Sequence, residues 1–228
     1  MAARDSFDEG KRLFHLKRWE MALQEFLMVD SGGFSLKESV ELSYYLGLCY
    51  TKLARYDDGL LYMEQVITQA ENSLWIFQCR MVLAYIYVMT KRYKMAEFEL
   101  EQLATSGFQS AQMYTSLAYS ASAQKQYDRA MELYQKALDL DRDNTTALNG
   151  LGYILVDTEQ DIIKGMEYCR KAVNMKPRNA AYLDSMGWAA FKTGDTSGAK
   201  NWLRKALGIA PNEPEIQNHL KMATGGIG

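Results

Sequence analysis

The chain has 228 residues, of which 48% are hydrophobic and 24% charged, a soluble composition that rules out wholesale disorder. Its 26 basic and 28 acidic residues leave a formal net charge of −2. So small a charge provides no general attraction to nucleic acid or to an acidic membrane surface.

Only three prolines occur, Pro177, Pro211 and Pro214, and so few breakers predict helices throughout. The three cysteines, Cys49, Cys79 and Cys169, are odd in number and far apart, which argues against a disulfide framework and a paired-cysteine metal site. The longest strongly apolar run, Met81–Met89, is about half of what a membrane span requires. Residues 1–14 are charged and carry no signal-peptide core. That predicts a cytoplasmic protein as written, or a periplasmic or envelope-associated one if an export signal has been trimmed.

The chain repeats itself at a spacing of about 34 residues, and the predicted elements follow that repeat. Unit 3–36 carries Gly10 and then "WEMA" (Trp19–Ala22). Three extra residues, Lys37–Ser39, precede unit 40–73, which carries Gly47 and "YDDG" (Tyr56–Gly59). Leu74–Ile76 are extra before unit 77–110, which carries Ala84 and "YKMA" (Tyr93–Ala96). Unit 111–144 carries Ala118 and "YDRA" (Tyr127–Ala130). Unit 145–179 carries Gly152 and Gly165, with one extra residue near Asp161, and unit 180–213 carries Gly187 and Ala199. A third column reads Val29, Val66, Leu103, Ala137, Ala172 and Ala206.

Each unit reads as two helices joined by a short turn. In 145–179 the apolar stripes are Leu148, Leu151, Leu155 and then Met166, Cys169, Ala172, Val173, both at helical spacing. Small residues recur because antiparallel helices approach to ~8–10 Å only where side chains are small. Beyond the repeat, Glu213–Ala223 reads as one more helix with Asn212 as N-cap, and Ile216 and Leu220 positioned to cover the end of the stack. Residues 214–228 thus form a capping helix and a tail, with Thr224–Gly228 expected to fray.

This pattern resembles the tetratricopeptide repeat. "LGLCY" (Leu46–Tyr50) and "LGY" (Leu151–Tyr153) match the first helix, and Tyr127, Ala130, Tyr134, Ala137 and Leu138 match the second. Unit 3–36 departs from the pattern, with Glu9 at the leucine position. The runs "ALNGLGYILVD", "AAYLDSMGWAAFKTGD" and "APNEPEIQNHL" are similar to the final repeats of many bacterial tetratricopeptide proteins. The resemblance implies an all-α fold, a right-handed α-solenoid of about six helix-turn-helix units with a capping helix, and a bacterial source.

It also implies that first helices line a concave groove. The residues carried onto that face include Phe14, Tyr44, Tyr45, Tyr85, Met89, Tyr119, Asn149, Tyr153, Asp184, Trp188 and Phe191. Tyr85, Tyr119, Tyr153 and Trp188 share one repeat position and form an aromatic ladder, or else pack between neighbouring repeats. An exposed ladder suits an extended peptide or an amphipathic helix bearing apolar or aromatic groups. The positions matching the family's carboxylate clamp hold Phe7, Lys11, Tyr45, Gln78 and Val82, which argues against a chaperone-tail receptor.

No phosphate loop, zinc-protease motif or nucleophile constellation occurs, so no catalytic residue, cofactor or metal is expected. His15 reads as solvated or packing. The expected function is a non-enzymatic interaction module with a protein partner, without nucleic acid or a membrane span. The alternative is a self-associating structural or assembly subunit of a bacterial envelope or motility complex, a homo-oligomer.

Overall fold

The computed structural model describes residues 2–70 and 72–225. Among the described residues the chain is all-α, with thirteen α-helices and no strand. The helices are α1 (Ala2–His15), α2 (Trp19–Leu27), α3 (Leu36–Lys52), α4 (Tyr56–Gln69), α5 (Ser73–Met89), α6 (Tyr93–Thr105), α7 (Ala111–Ala123), α8 (Tyr127–Leu140), α9 (Thr145–Asp157), α10 (Ile162–Met175), α11 (Ala180–Lys192), α12 (Thr196–Ile209) and α13 (Pro214–Ala223).

They form two compact units, Met1–Gln109 and Ser110–Gly228. Each is a short α-solenoid of three helix pairs, and the second adds α13. Within a unit, the second helix of one pair packs on the first helix of the next, and neighbouring first helices also touch.

The same turn closes every first helix. A residue in the left-handed region follows the last helical turn: Lys17, Ala54, Lys91, Lys125 and Glu159 at φ 57 to 61°, and Gly194 at φ 84°. The next amide then reaches back into the helix, as Arg18 N–H does to the Leu13 carbonyl (3.0 Å) and Gln126 N–H to the Ala121 carbonyl (2.9 Å). After α9 the turn is one residue longer, so Asp161 N–H makes that bond to Leu155 (3.3 Å). This is where the sequence carries its extra residue.

Five of these six turns hold a side chain where glycine would be unstrained. Lys17 and Lys91 are exposed, so Lys17→Gly and Lys91→Gly should each stabilise the first unit by ~0.5–1 kcal/mol. A thermal melt of the double variant would check this, and a lowered midpoint would count against the turn assignment.

The extra residues Lys37–Ser39 and Leu74–Ile76 are helical. Ser35 caps α3 in a reciprocal box with Glu38, and Asn72 caps α5. These caps lie a turn early, so α3 and α5 run 17 residues where α7, α9 and α11 run 13.

The small-residue columns are buried at the helix crossings. Ala22, Ala96, Ala130 and Ala199 have no exposed surface. At the α9/α10 crossing the backbones meet: a Cβ on Gly152 would stand 2.7 Å from the Gly165 carbonyl oxygen, and one on Gly165 would stand 2.7 Å from that of Gly152. Val29 departs from its column. Helix α2 ends at Leu27, a 3-10 turn follows at Ser31–Gly33, and Val29 is only half-buried.

Helix α13 starts one residue later than the sequence predicts. Glu213 holds the N-cap position without a side-chain cap bond, and Pro214 takes the first helical position, where its missing N–H costs nothing. Asn212 is therefore not the cap. Ile216 is 2% exposed and Leu220 packs on the core. Thr224, expected to fray, donates from Oγ1 to the Leu220 carbonyl (2.9 Å). The expected fraying of residues 226–228 lies outside the described residues.

Cys49, Cys79 and Cys169 are free and buried, and burial pushes each thiol up to about 12. Below that pH they stay protonated and unreactive. Thiol labelling at neutral pH should thus proceed only through local opening, with Cys49 and Cys79 reporting on the first unit and Cys169 on the second. Burst labelling of the native protein would refute this.

Candidate partner-binding groove

In the first unit most of the predicted groove residues pack among themselves. Phe14 lies edge-on to Trp19 (4.9 Å between ring centroids) and to Tyr45 (5.3 Å), and Tyr45 stacks on Phe26 (5.5 Å). Tyr44 meets Trp75 edge-on at 4.5 Å, and burial pushes its hydroxyl up to about 12. These rings mainly build the core of the unit. Tyr85 and Met89 differ, at 49% and 48% exposed on the open side of α5. The Met81–Met89 run is otherwise split, with Leu83, Ala84, Ile86 and Tyr87 buried.

In the second unit the first helices and α13 surround a cavity of about 430 Å³. Tyr119, on α7, is 47% exposed at its wall. Tyr127 and the buried Tyr134 from α8 also line it, as do Asn149 and Tyr153 from α9. The Tyr153 hydroxyl donates to Glu215 Oε1 (3.2 Å) on α13. That hydroxyl is held far above the ordinary phenol range, first by burial and then by the negative charge of Glu215 and Asp157.

Trp188 and Asp184 occupy the predicted face of α11 but are buried under α13, at 6% and 5% exposed. The Trp188 ring stacks on His219 at 4.3 Å, and its Nε1 donates to Asp157 Oδ1 (3.0 Å). Phe191 also stacks on Trp188, at 5.3 Å. Both Asp184 oxygens lie within 2.9 and 3.1 Å of His219 Nδ1. Trp188 and Asp184 therefore offer no open surface here. Of the four ladder positions, Tyr85 and Tyr119 are exposed, Tyr153 is half-buried and Trp188 is covered.

The sequence reading missed Asp157 as a partner of Trp188, and it missed His219 and Glu215 as the residues that seat α13. One signal existed: His219 lies three residues after Ile216 and joins the inward stripe Ile216, Leu220, Ala223. Its partner Asp184, 35 residues earlier, is about one repeat away and leaves no local mark.

Three family models match the chain: "TPR repeat" over residues 122–158, and "Tetratricopeptide repeat" over residues 41–73 and over residues 180–213. Two of these matches lie in the second unit and one in the first. The chain is a tetratricopeptide-repeat protein.

Among curated relatives it is 29% identical over 106 residues to the mitochondrial import receptor subunit TOM70 of Rattus norvegicus, covering 46% of this chain and 17% of that protein. It is 40% identical over 78 residues to a TPR repeat-containing protein of Pseudomonas aeruginosa, covering 34% of this chain and 13% of the relative. The chain thus spans a small part of the length of each. Among solved structures, MamA (41-end) from Desulfovibrio magneticus RS-1 superposes with a TM-score of 0.65 at 20% identity, over 77% of this chain and 96% of that one. This last likeness concerns the fold.

As a tetratricopeptide-repeat chain, the molecule is a protein-interaction module. No helix among the described residues is long and apolar enough to cross a membrane. Nor does any group of three or more metal-ligating side chains come together among them.

Proposed function

We propose that the protein is a non-enzymatic adaptor whose first-helix faces hold a peptide or helix of a partner protein. The supporting observation is Tyr119, an aromatic ring 47% exposed at the wall of a tyrosine-lined cavity. Exposed aromatics beside a concavity form binding anchors because they bury large area at low entropic cost.

The test places a photo-crosslinking amino acid at Tyr119 or, as a control, at Arg204, an exposed second-helix residue. The captured partner is then titrated calorimetrically against wild type and Tyr119→Ala. Tyr119→Ala should weaken binding by ~1–2 kcal/mol or more. Equal capture at both positions, with unchanged affinity, would move the contact elsewhere.

A second reading, self-association, draws on Tyr85 and Met89, exposed one helical turn apart on α5. Light scattering across a wide concentration range decides it: a monomer throughout counts against it.

A further inference from the structure

We infer that the cavity of the second unit takes a cationic side chain, arginine or lysine, projected from the partner segment. This rests on the groove reading above and names the chemistry of the anchor.

The polar atoms left over at this cavity include several acceptor oxygens. Asp157 uses Oδ1 for the Trp188 indole, and Glu215 uses Oε1 for the Tyr153 hydroxyl. Each carboxylate keeps a second oxygen, and neither has a basic partner among the described residues. Asn149, which also lines the cavity, buries Oδ1 with no hydrogen-bond partner. Asp184 is already matched by His219. Lys125, at the turn after α7, is the basic side chain on the lining, and it is exposed.

Guanidinium and ammonium groups are donors with no acceptor atom, the complement of such a lining. The other walls are the rings of Tyr119, Tyr127 and Tyr153, whose faces attract a cation within about 6 Å. The carboxylates bear on the same place, since the charges of Glu215, Asp157 and Asp184 all act on the Tyr153 hydroxyl. An acidic side chain would meet those carboxylates instead. A purely apolar one would strip water from them without replacing its bonds.

The experiment selects a random dodecapeptide phage library on the immobilised full chain. The enriched peptides are then titrated by fluorescence polarisation against wild type, Tyr119→Ala, Asp157→Asn and Glu215→Gln. Circular dichroism first confirms that each variant is folded. The amide variants can keep the bonds to Trp188 and Tyr153 through the remaining oxygen, while they remove the charge and turn the second oxygen into a donor.

The expected result is a fixed arginine or lysine in the enriched peptides. Replacing it by norleucine, or making Asp157→Asn or Glu215→Gln, should weaken binding about tenfold, with a further loss as salt is raised. Peptides that need Tyr119 but carry no fixed basic residue and ignore both amide variants would overturn the cationic anchor and leave the groove reading standing. Peptides indifferent to all three variants, or a selection that enriches nothing, would count against both.

Discussion

Gly152→Val should destabilise the second unit by ~3 kcal/mol. The new Cβ would stand 2.7 Å from the Gly165 carbonyl oxygen and 3.0 Å from the Cys169 amide nitrogen, and neither can move without separating α9 from α10. The contrasting substitution is Gly208→Ala, on α12, where a Cβ meets nothing within 4 Å. It should stabilise by ~0.5–1 kcal/mol, because a helix gains from alanine over glycine. Denaturant melts of both variants provide the comparison. If Gly152→Val melts like wild type, the two helices are not in backbone contact. Because repeat arrays couple mainly between neighbours, hydrogen exchange should rise in residues 145–175 and barely at all in residues 2–70.

His219→Ala should loosen α13 by ~3 kcal/mol or more. The substitution leaves the Asp184 carboxylate buried at 5% exposure without its partner, and it removes the ring stacked on Trp188. The readouts are hydrogen exchange across α13 and α11 and, in a background where Trp19, Trp75 and Trp202 are replaced by Phe, the emission wavelength of Trp188, which should shift to the red as the indole meets water. The double variant Asp184→Ala, His219→Ala should lose less than the sum of the single losses, because it strands no charge. Strict additivity would mean that the two side chains do not act as a pair.

The two regions differ in how much of their structure was legible in the chain. The small columns could be read because helix crossings accept only glycine or alanine, whatever packs around them; Ala96, Ala130 and Gly152 are buried for that one reason. Exposure of the ladder was a different matter. Tyr119 and Trp188 hold the same repeat position, yet one is 47% exposed and the other 6%. The difference arises in α13, which was read as covering the stack through Ile216 and Leu220 and which also seats His219 and Glu215 against α11 and α9. Val29 shows the same limit. It keeps the column spacing, but the turn at Ser31–Gly33 follows a helix that has already ended. Register predicts which face a residue joins; what lies over that face depends on partners a repeat or more away.

The glycine crossing of α9 and α10 also has a mechanical meaning. At the other glycine crossings, the obstacle to a Cβ is largely a side chain: the Phe26 ring at Gly10, the Met63 thioether at Gly47, the Leu203 side chain at Gly187. Such groups can shift rotamer and let the helices slide by fractions of an ångström. Between Gly152 and Gly165 the nearest obstacle on each side is a carbonyl held in a helical ladder, with the Cys169 and Val156 side chains beside it, so the two rods have little room to slide. Under a bending load, α9 and α10 should turn together as one stiff bar, and the second unit should flex at the side-chain-spaced contacts of α11 with α12. Asn149 and Tyr153, carried on that bar, should keep a fixed spacing.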